Sequence, residues 1–174
     1  MDLIAARPGD ETLLLDLLNT TPVVDGVPRD ELDDPKTALS WLRSHGIAAA
    51  STQVQDLIAV RTALQAVVRG HQTPATLQPL LKGVCLFPKI TDDGLAWTLA
   101  AGGTSEAAVR AILAWDALRI SSPGRLRPCA NPECRRFFID RSKPSNGRWC
   151  SMAICGNRMK ARRHYQRTKA TAGD

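Results

Sequence analysis

With 174 residues, 44% of them hydrophobic and 23% charged, the chain has room for one sizeable core and a small satellite module. Its apolar runs are far too short to cross a bilayer, and MDLIAARPGDE has no basic segment followed by an apolar one, so the sequence reads as a cytoplasmic protein with reduced thiols. The net charge of +6 hides an asymmetry: residues 1–124 carry 10 Lys and Arg against 14 Asp and Glu, whereas residues 125–169 carry 13 against 2, which points to a polyanion partner for the C-terminal part alone rather than a merely solvated surface.

The N-terminal part reads as mostly helical. Asp10 and Glu11 precede Leu13, Leu14, Leu15, Leu17 and Leu18, which predicts a short buried helix over 11–20, although so apolar a run has no period to separate helix from strand. Residues 21–34 are turn-rich and acidic and are expected to form a loop, with the carboxylates at 30–34 solvated rather than metal-binding. Asp34 reads as an N-cap with Pro35 at the first helical position; Leu39 and Leu42 follow, Gly46 closes the helix, and Trp41 is expected on the loop.

A long helix is predicted from Ser51 or Thr52 to about Arg69, carried by Val54, Leu57, Ile58, Leu64, Val67 and Val68 and ended by Gly70. Thr73-Pro74 opens a short helix with Leu77, Leu80 and Leu81, stopped by Gly83. Residues 84–90 and 95–99 flank Thr91-Asp92-Asp93-Gly94 and predict a hairpin, with Pro88 confining the first strand to an edge. Thr104 is expected to cap a helix reaching about Ile120 through Val109, Ile112, Leu113 and Leu118, and residues 121–124 mark a domain boundary. Cys85 reads as a small buried residue, Trp97 and Trp115 as core, and His45 and His71 as solvated helix ends. Nothing here has the arrangement of a nucleophile and its base, or of a phosphate loop, so the chain does not read as an enzyme.

Four of the five cysteines fall in two matched pairs, Cys129-x4-Cys134 and Cys150-x4-Cys155. Four thiolates converge naturally on one structural zinc ion; a redox switch that releases the metal is the alternative, and disulfides suit a reducing compartment least. Arg135–Ile139 and Arg148-Trp149 are expected to pair as a hairpin through a turn at 143–147, with Phe137, Phe138 and Trp149 as a miniature core. On a continuous helix, residues five apart point about 140° apart. Cys150 is therefore expected just before a helix and Cys155 one turn inside it, with Ser151 as N-cap. Arg135, Arg136 and Arg148 would balance the negative charge of a tetrathiolate zinc.

These residues carry a resemblance. Cys155-Gly156-Asn157-Arg158, together with CANPECRRFFID and NGRWCSMAICGNRMKARRHY, resembles the CGNR zinc finger. The N-terminal part, with Leu17-Leu18-Asn19-Thr20 and the helix around Arg61, resembles the ABATE domain that commonly precedes it. The resemblance implies two domains, 1–122 and 123–174. The fold expected is mainly α with a small β-hairpin, followed by a treble-clef-like zinc finger of β-hairpin plus helix. It further implies a bacterial, stress-responsive transcription regulator that binds DNA, its N-terminal domain sensing a small ligand.

At 100° per residue, Met152, Cys155 and Met159 share a face turned to the metal. Arg158, Arg162 and Lys169 form one basic row and Lys160, Arg163 and Arg167 another, with Asn157, Ala161, His164 and Thr168 between them. Two cationic rows flanking a polar strip suit a major groove: Arg158, Lys160, Arg162, Arg163 and Arg167 to phosphates, His164 and Asn157 to base edges. Asn157 serves equally well as a support for the backbone around the metal. Tyr165 either stacks on a base or packs back on the finger, and RNA is the poorer fit because aromatics are few. The alternative to DNA is a finger that docks on protein, including the chain's own acidic N-terminal domain. One finger reads few base pairs, so a homodimer or a second reading element is expected.

Overall fold

The structure, a computed structural model, describes residues 9–47 and 51–171. About half of the chain is helical, and the strands form three separate two-stranded antiparallel ribbons. The core is built by helices α1 (Asp10–Leu18), α3 (Ser51–Val68) and α4 (Glu106–Ser121), with α2 (Pro35–Ser44) lying beside α3. The apolar run at 13–18 is a helix because α4 offers it a surface of small residues: Ala107, Ala108, Ala111 and Ala114 are buried and let Leu14, Leu17 and Leu18 seat closely. A fully buried leucine contributes about 1.5–3 kcal/mol, so this leucine–alanine contact is a main source of stability. A 3₁₀ helix (Pro74–Leu81) places Leu77 in the same core.

Two part-buried ion pairs, one from α4 to α1 and one from α3 to the segment before α2, add polar links. Arg110 Nε donates to Asp10 at 2.7 Å. Arg61 forks onto Asp30 at 2.7 and 2.5 Å and also donates to Thr20 Oγ1 at 2.8 Å. Burial pushes the Asp30 carboxyl up, but the Arg61 hydrogen bond and the Leu32 N–H outweigh it and leave it below the usual range. Asp30 is therefore no solvated loop carboxylate.

Residues 21–34 are also not a plain loop. Val23–Val24 (β1) pairs with Val27–Pro28 (β2) around Asp25 and Gly26, whose φ values are 51° and 79°. Asp-Gly is a two-residue hairpin signal because both positions need left-handed backbone. Asp34 caps α2 as expected, accepting from Thr37 N at 2.8 Å. Trp41 packs on the core, and His45 stacks on it with ring centroids 4.1 Å apart. His45 also reaches Asp16 at 3.1 Å, so it is a linking side chain rather than a solvated one. The N-cap of α4 is Ser105, not Thr104, and Asp56 accepts from its N–H at 2.7 Å.

The predicted hairpin is present as β3 (Cys85–Thr91) and β4 (Gly94–Ala100). Its neck is a backbone-to-backbone contact: a Cβ on Gly102 would lie 2.3 Å from the Gly83 carbonyl oxygen. The ribbon stands away from the core, which overturns two expectations: Cys85 is exposed, and Trp97 is open to solvent while Trp115 alone is core.

The last ribbon joins β5 (Leu126–Pro128) to β6 (Phe137–Ile139). Phe137 is buried in the main helical core, with Leu126 and Ile139 packed against that core. Asn19, one residue past α1, clamps the Phe137 backbone like a neighbouring strand: its Oδ1 accepts from Phe137 N at 2.8 Å and its Nδ2 donates to Phe137 O at 3.2 Å. Arg69 lies over the Phe137 ring at 4.5 Å and donates to Arg135 O at 3.0 Å. The miniature core expected from Phe137, Phe138 and Trp149 is thus replaced by a shared one. An aromatic ring gains more from a large hydrophobic core than from two half-buried neighbours.

Candidate metal centre

The first cysteine pair closes the end of the β5–β6 ribbon. Pro128 pairs with Phe137, Cys129 N donates to Arg136 O at 2.8 Å, and Cys134 N donates to Asn131 O at 2.9 Å. The strand partner of β6 is therefore the segment before the first cysteine, not Arg148-Trp149. The latter segment lies beside the knuckle instead, with Ala130 N donating to Arg148 O at 2.8 Å.

The second pair is shaped by an unusual turn. Cys150 precedes it, Ser151 is its N-cap with Oγ accepting from Ile154 N at 3.3 Å, and residues Met152–Gly156 form one π turn before helix α5 (Asn157–Thr171). Gly156 N donates to Ser151 O, five residues back, at 3.0 Å. That wider turn stacks residues five apart, whereas a regular α-helix would splay them. The spacing Cys150-x4-Cys155 is thereby matched to the turn that carries it. Met152, expected to face the metal, is exposed and folds over Gly156, where a Cβ would meet its sulfur at 2.9 Å.

The four sulfurs of Cys129, Cys134, Cys150 and Cys155 all lie within 4.8 Å of one another, and Cys150 Sγ is 3.7 Å from both Cys134 Sγ and Cys155 Sγ. A tetrahedron with metal–sulfur bonds of about 2.3 Å has an edge of about 3.8 Å, so the cluster fits a four-thiolate metal site. Two donors point at the sulfurs: Cys150 N toward Cys129 Sγ at 3.5 Å, and Asn131 Nδ2 toward Cys155 Sγ at 3.6 Å. Burial, then the thiolates of Cys134 and Cys129, push the Cys150 thiol well up, and burial likewise raises Cys134. Burial also acts to raise Cys155, but the Asn131 amide and the neighbouring thiols outweigh it and hold it low. A divalent cation among the sulfurs reverses the repulsion that raises Cys150.

Asn131 carries a role that the cysteine spacing alone does not reveal. It is fully buried, and its Oδ1 also accepts from Glu133 N at 3.2 Å, so one amide shapes the knuckle and donates to a sulfur of the cluster. An asparagine inside the Cys-x4-Cys segment is the available signal. Asn157, for which such support and a base contact are equal expectations, is exposed at the start of α5.

Of the basic residues singled out, Arg158 lines an open groove of about 830 Å³ together with Arg135, Arg136, Cys134, Cys150, Cys155 and Asp25 of the β1–β2 turn. Arg162 pairs with Glu133 of the knuckle at 3.0 Å. Met159 is half-buried, and every residue from Lys160 to Lys169 is exposed, including Arg163, His164 and Arg167; Tyr165 does not pack back on the finger. Arg148 stacks over Trp149 at 5.1 Å.

The segment between the cysteine pairs is organised by buried Asp140. It accepts from Ser142 Oγ at 2.6 Å, Ser142 N at 3.0 Å and Gly147 N at 2.7 Å, with Arg127 at 3.6 Å. The two Ser142 bonds, then Gly147 and Arg127, hold its carboxyl down to about 2. A depressed carboxylate stabilises the fold fully above its ordinary range, about pH 4, and that contribution is lost as pH falls toward about 2. Asp140→Asn is therefore expected to be less stable than the wild type in denaturant unfolding at neutral pH and saturating zinc, where the segment that holds Asp140 is folded in both proteins. Equal stability of the two proteins under those conditions would contradict this account.

Comparison with known families gives two matches. The model of the ABATE family, described as "Putative stress-induced transcription regulator", matches residues 11–122, and that of the CGNR zinc finger matches residues 125–168. No curated protein matches the chain.

Proposed function

Because the chain belongs to the ABATE family and carries a CGNR zinc finger, we propose that it is a zinc-dependent DNA-binding transcription regulator. The single observation that supports this most is how α5 is presented. The four-thiolate cluster anchors the helix by its first turn, and the remaining turns stand in solvent with Arg158, Lys160, Arg162, Arg163, Arg167 and Lys169 and no acidic residue. Cys129, Cys134, Cys150 and Cys155 would hold the zinc, which supplies structural cross-linking and has no open position for chemistry. We read the module as treble-clef-like: knuckle, ribbon and helix about one ion. On this reading the basic rows of α5 meet phosphates, His164 and Asn157 approach base edges, and Arg135 and Arg136 extend the positive surface along the groove.

A hollow of about 100 Å³ lies between Val68, Trp115 and Leu126. It is smaller than the roughly 300 Å³ at which small-molecule sites begin.

The protein-docking reading has its own support. Asn19, Arg69 and the Glu11–Arg141 ion pair join the finger to the chain's own N-terminal part. That contact uses the β5–β6 ribbon and the residues beside it and leaves α5 uncovered, so it accompanies DNA binding without replacing it.

The test is titration of zinc-loaded protein with duplex DNA at several salt concentrations. Affinity is expected to fall steeply with salt. Arg158→Glu combined with Arg163→Glu is expected to weaken binding at least tenfold and to flatten the salt slope by about 0.9 for each phosphate that is no longer neutralised. Absence of duplex affinity at low salt, or wild-type binding by the double variant with zinc retained, would defeat the proposal.

A further inference from the structure

The β3–β4 ribbon is amphipathic in a way that neither the metal centre nor DNA binding uses. Its register places Leu86 opposite Leu99, Pro88 opposite Trp97 and Ile90 opposite Leu95. These six side chains share one face, because cross-strand partners and every second residue lie on the same side of a ribbon. The other face is mixed, with Lys89, Thr91 and Thr98 beside Cys85, Phe87, Ala96 and Ala100. The apolar face is open toward its tip, where Ile90 is 77% exposed, Leu95 61% and Trp97 36%, while Leu86 and Leu99 near the neck are half-buried. Neither strand packs substantially on any other element among the described residues. A lone two-stranded ribbon is marginally stable in water, and one whose uncharged apolar face is open over its outer half gains from a cover.

We infer that the cover is the same face of a second copy of this chain, the two ribbons stacking face to face about a two-fold axis. Three observations favour a copy over another partner. The face carries no charge, so self-stacking opposes no like charges. An axis crossing the ribbon sets the two copies antiparallel, which brings the Asp92–Asp93 tip of each over the neck of the other, where exposed Lys82 precedes Gly83. The area also suits a reversible dimer: with about 150–250 Å² for a whole large side chain, the face offers on the order of 400 Å² per copy. Two copies with their tip-to-neck contacts then approach the roughly 1,000 Å² of a specific interface. The dimer does not depend on the DNA reading, but it would place two α5 helices in one particle.

The experiment is sedimentation velocity of the zinc-loaded full chain from about 1 to 200 µM, spanning an expected Kd on the order of tens of micromolar. Wild type is expected to shift from monomer to dimer. Ile90→Lys, at the most exposed position and remote from the core, is expected to remain monomeric with unchanged circular dichroism and zinc content, and Leu95→Lys to do the same independently. Phe87→Lys, on the opposite face, is expected to dimerise as wild type. A wild type that stays monomeric throughout overturns the inference, whether or not its ribbon then captures a different protein or a lipid vesicle. So does undiminished dimerisation of Ile90→Lys and Leu95→Lys.

Discussion

Removal of the proposed zinc, by chelation or by Cys155→Ser, is expected to release the cysteine knuckle, the π turn and α5, and to lower the melting temperature of the helical core that shares the β5–β6 ribbon. Beyond the β5–β6 ribbon, which the main core and Asn19 hold, the finger has little else to hold it. Its one fully buried large apolar side chain, Phe137, belongs to the main core, while Phe138 and Trp149 are only half-buried. The knuckle and the π turn are joined by backbone bonds such as Ala130 N to Arg148 O and by the sulfurs. Structural zinc contributes an apparent ~10–16 kcal/mol in small fingers, far more than those few bonds at about 1 kcal/mol each. Loss of zinc from one per chain to none, loss of α5 helicity and rapid alkylation of all four ligand thiols are the expected readings. Cys85→Ser is the control: Cys85 is exposed on β3, outside the cluster, and its replacement should leave metal content unchanged. Unaltered circular dichroism and melting after complete chelation would refute the account.

Phe137→Ala is expected to destabilise the helical core by about 3–5 kcal/mol, the usual cost of emptying a buried aromatic site. The ring lies among residues of the helical core and beneath Arg69, so the cavity opens at the seam rather than inside the finger. Denaturant unfolding at saturating zinc measures it. Asn19→Ala should cost about 1–3 kcal/mol by stranding the Phe137 N–H and carbonyl, and the two substitutions together should cost less than their sum because both act on one contact. A Phe137→Ala protein with full core stability but weakened zinc binding would instead mean that the finger is an independent unit.

The cysteine cluster is legible in the sequence because its members are one residue type in two equal spacings. Cys150 lies outside and Cys155 inside the turn, as the angular argument requires. The turn itself is wider than that argument assumes, since a regular 100° step contains no π turn. Asn131 and Asn19 are not legible: polar side chains that bond backbone or sulfur leave no periodic trace. The partner of β6 differs from the expected one because three-residue strands give almost no alternation, and chain order favours the later segment. Asp25-Gly26 is itself a turn signal, but it is masked by its acidic neighbours. Trp97 and Cys85 read as buried because an apolar run shows which residues seek cover but not whether the same chain supplies it. The helices of the core are legible from their leucines and caps, and Asp34 and Gly46 fall where the caps place them.

The Asn19–Phe137 clamp bears on the order in which the chain is made. Synthesis delivers α1, α3 and α4 first, with a socket for Phe137 still vacant at their seam. The plug arrives on a segment between Cys134 and Cys150, two of the four residues that must meet at the cluster. Completion of the N-terminal body is thus deferred until the last third of the chain has emerged and gathered its thiols. A finger from another chain grafted after Gly124 would seat only if it brought an aromatic plug for that socket and a backbone that Asn19 can grip.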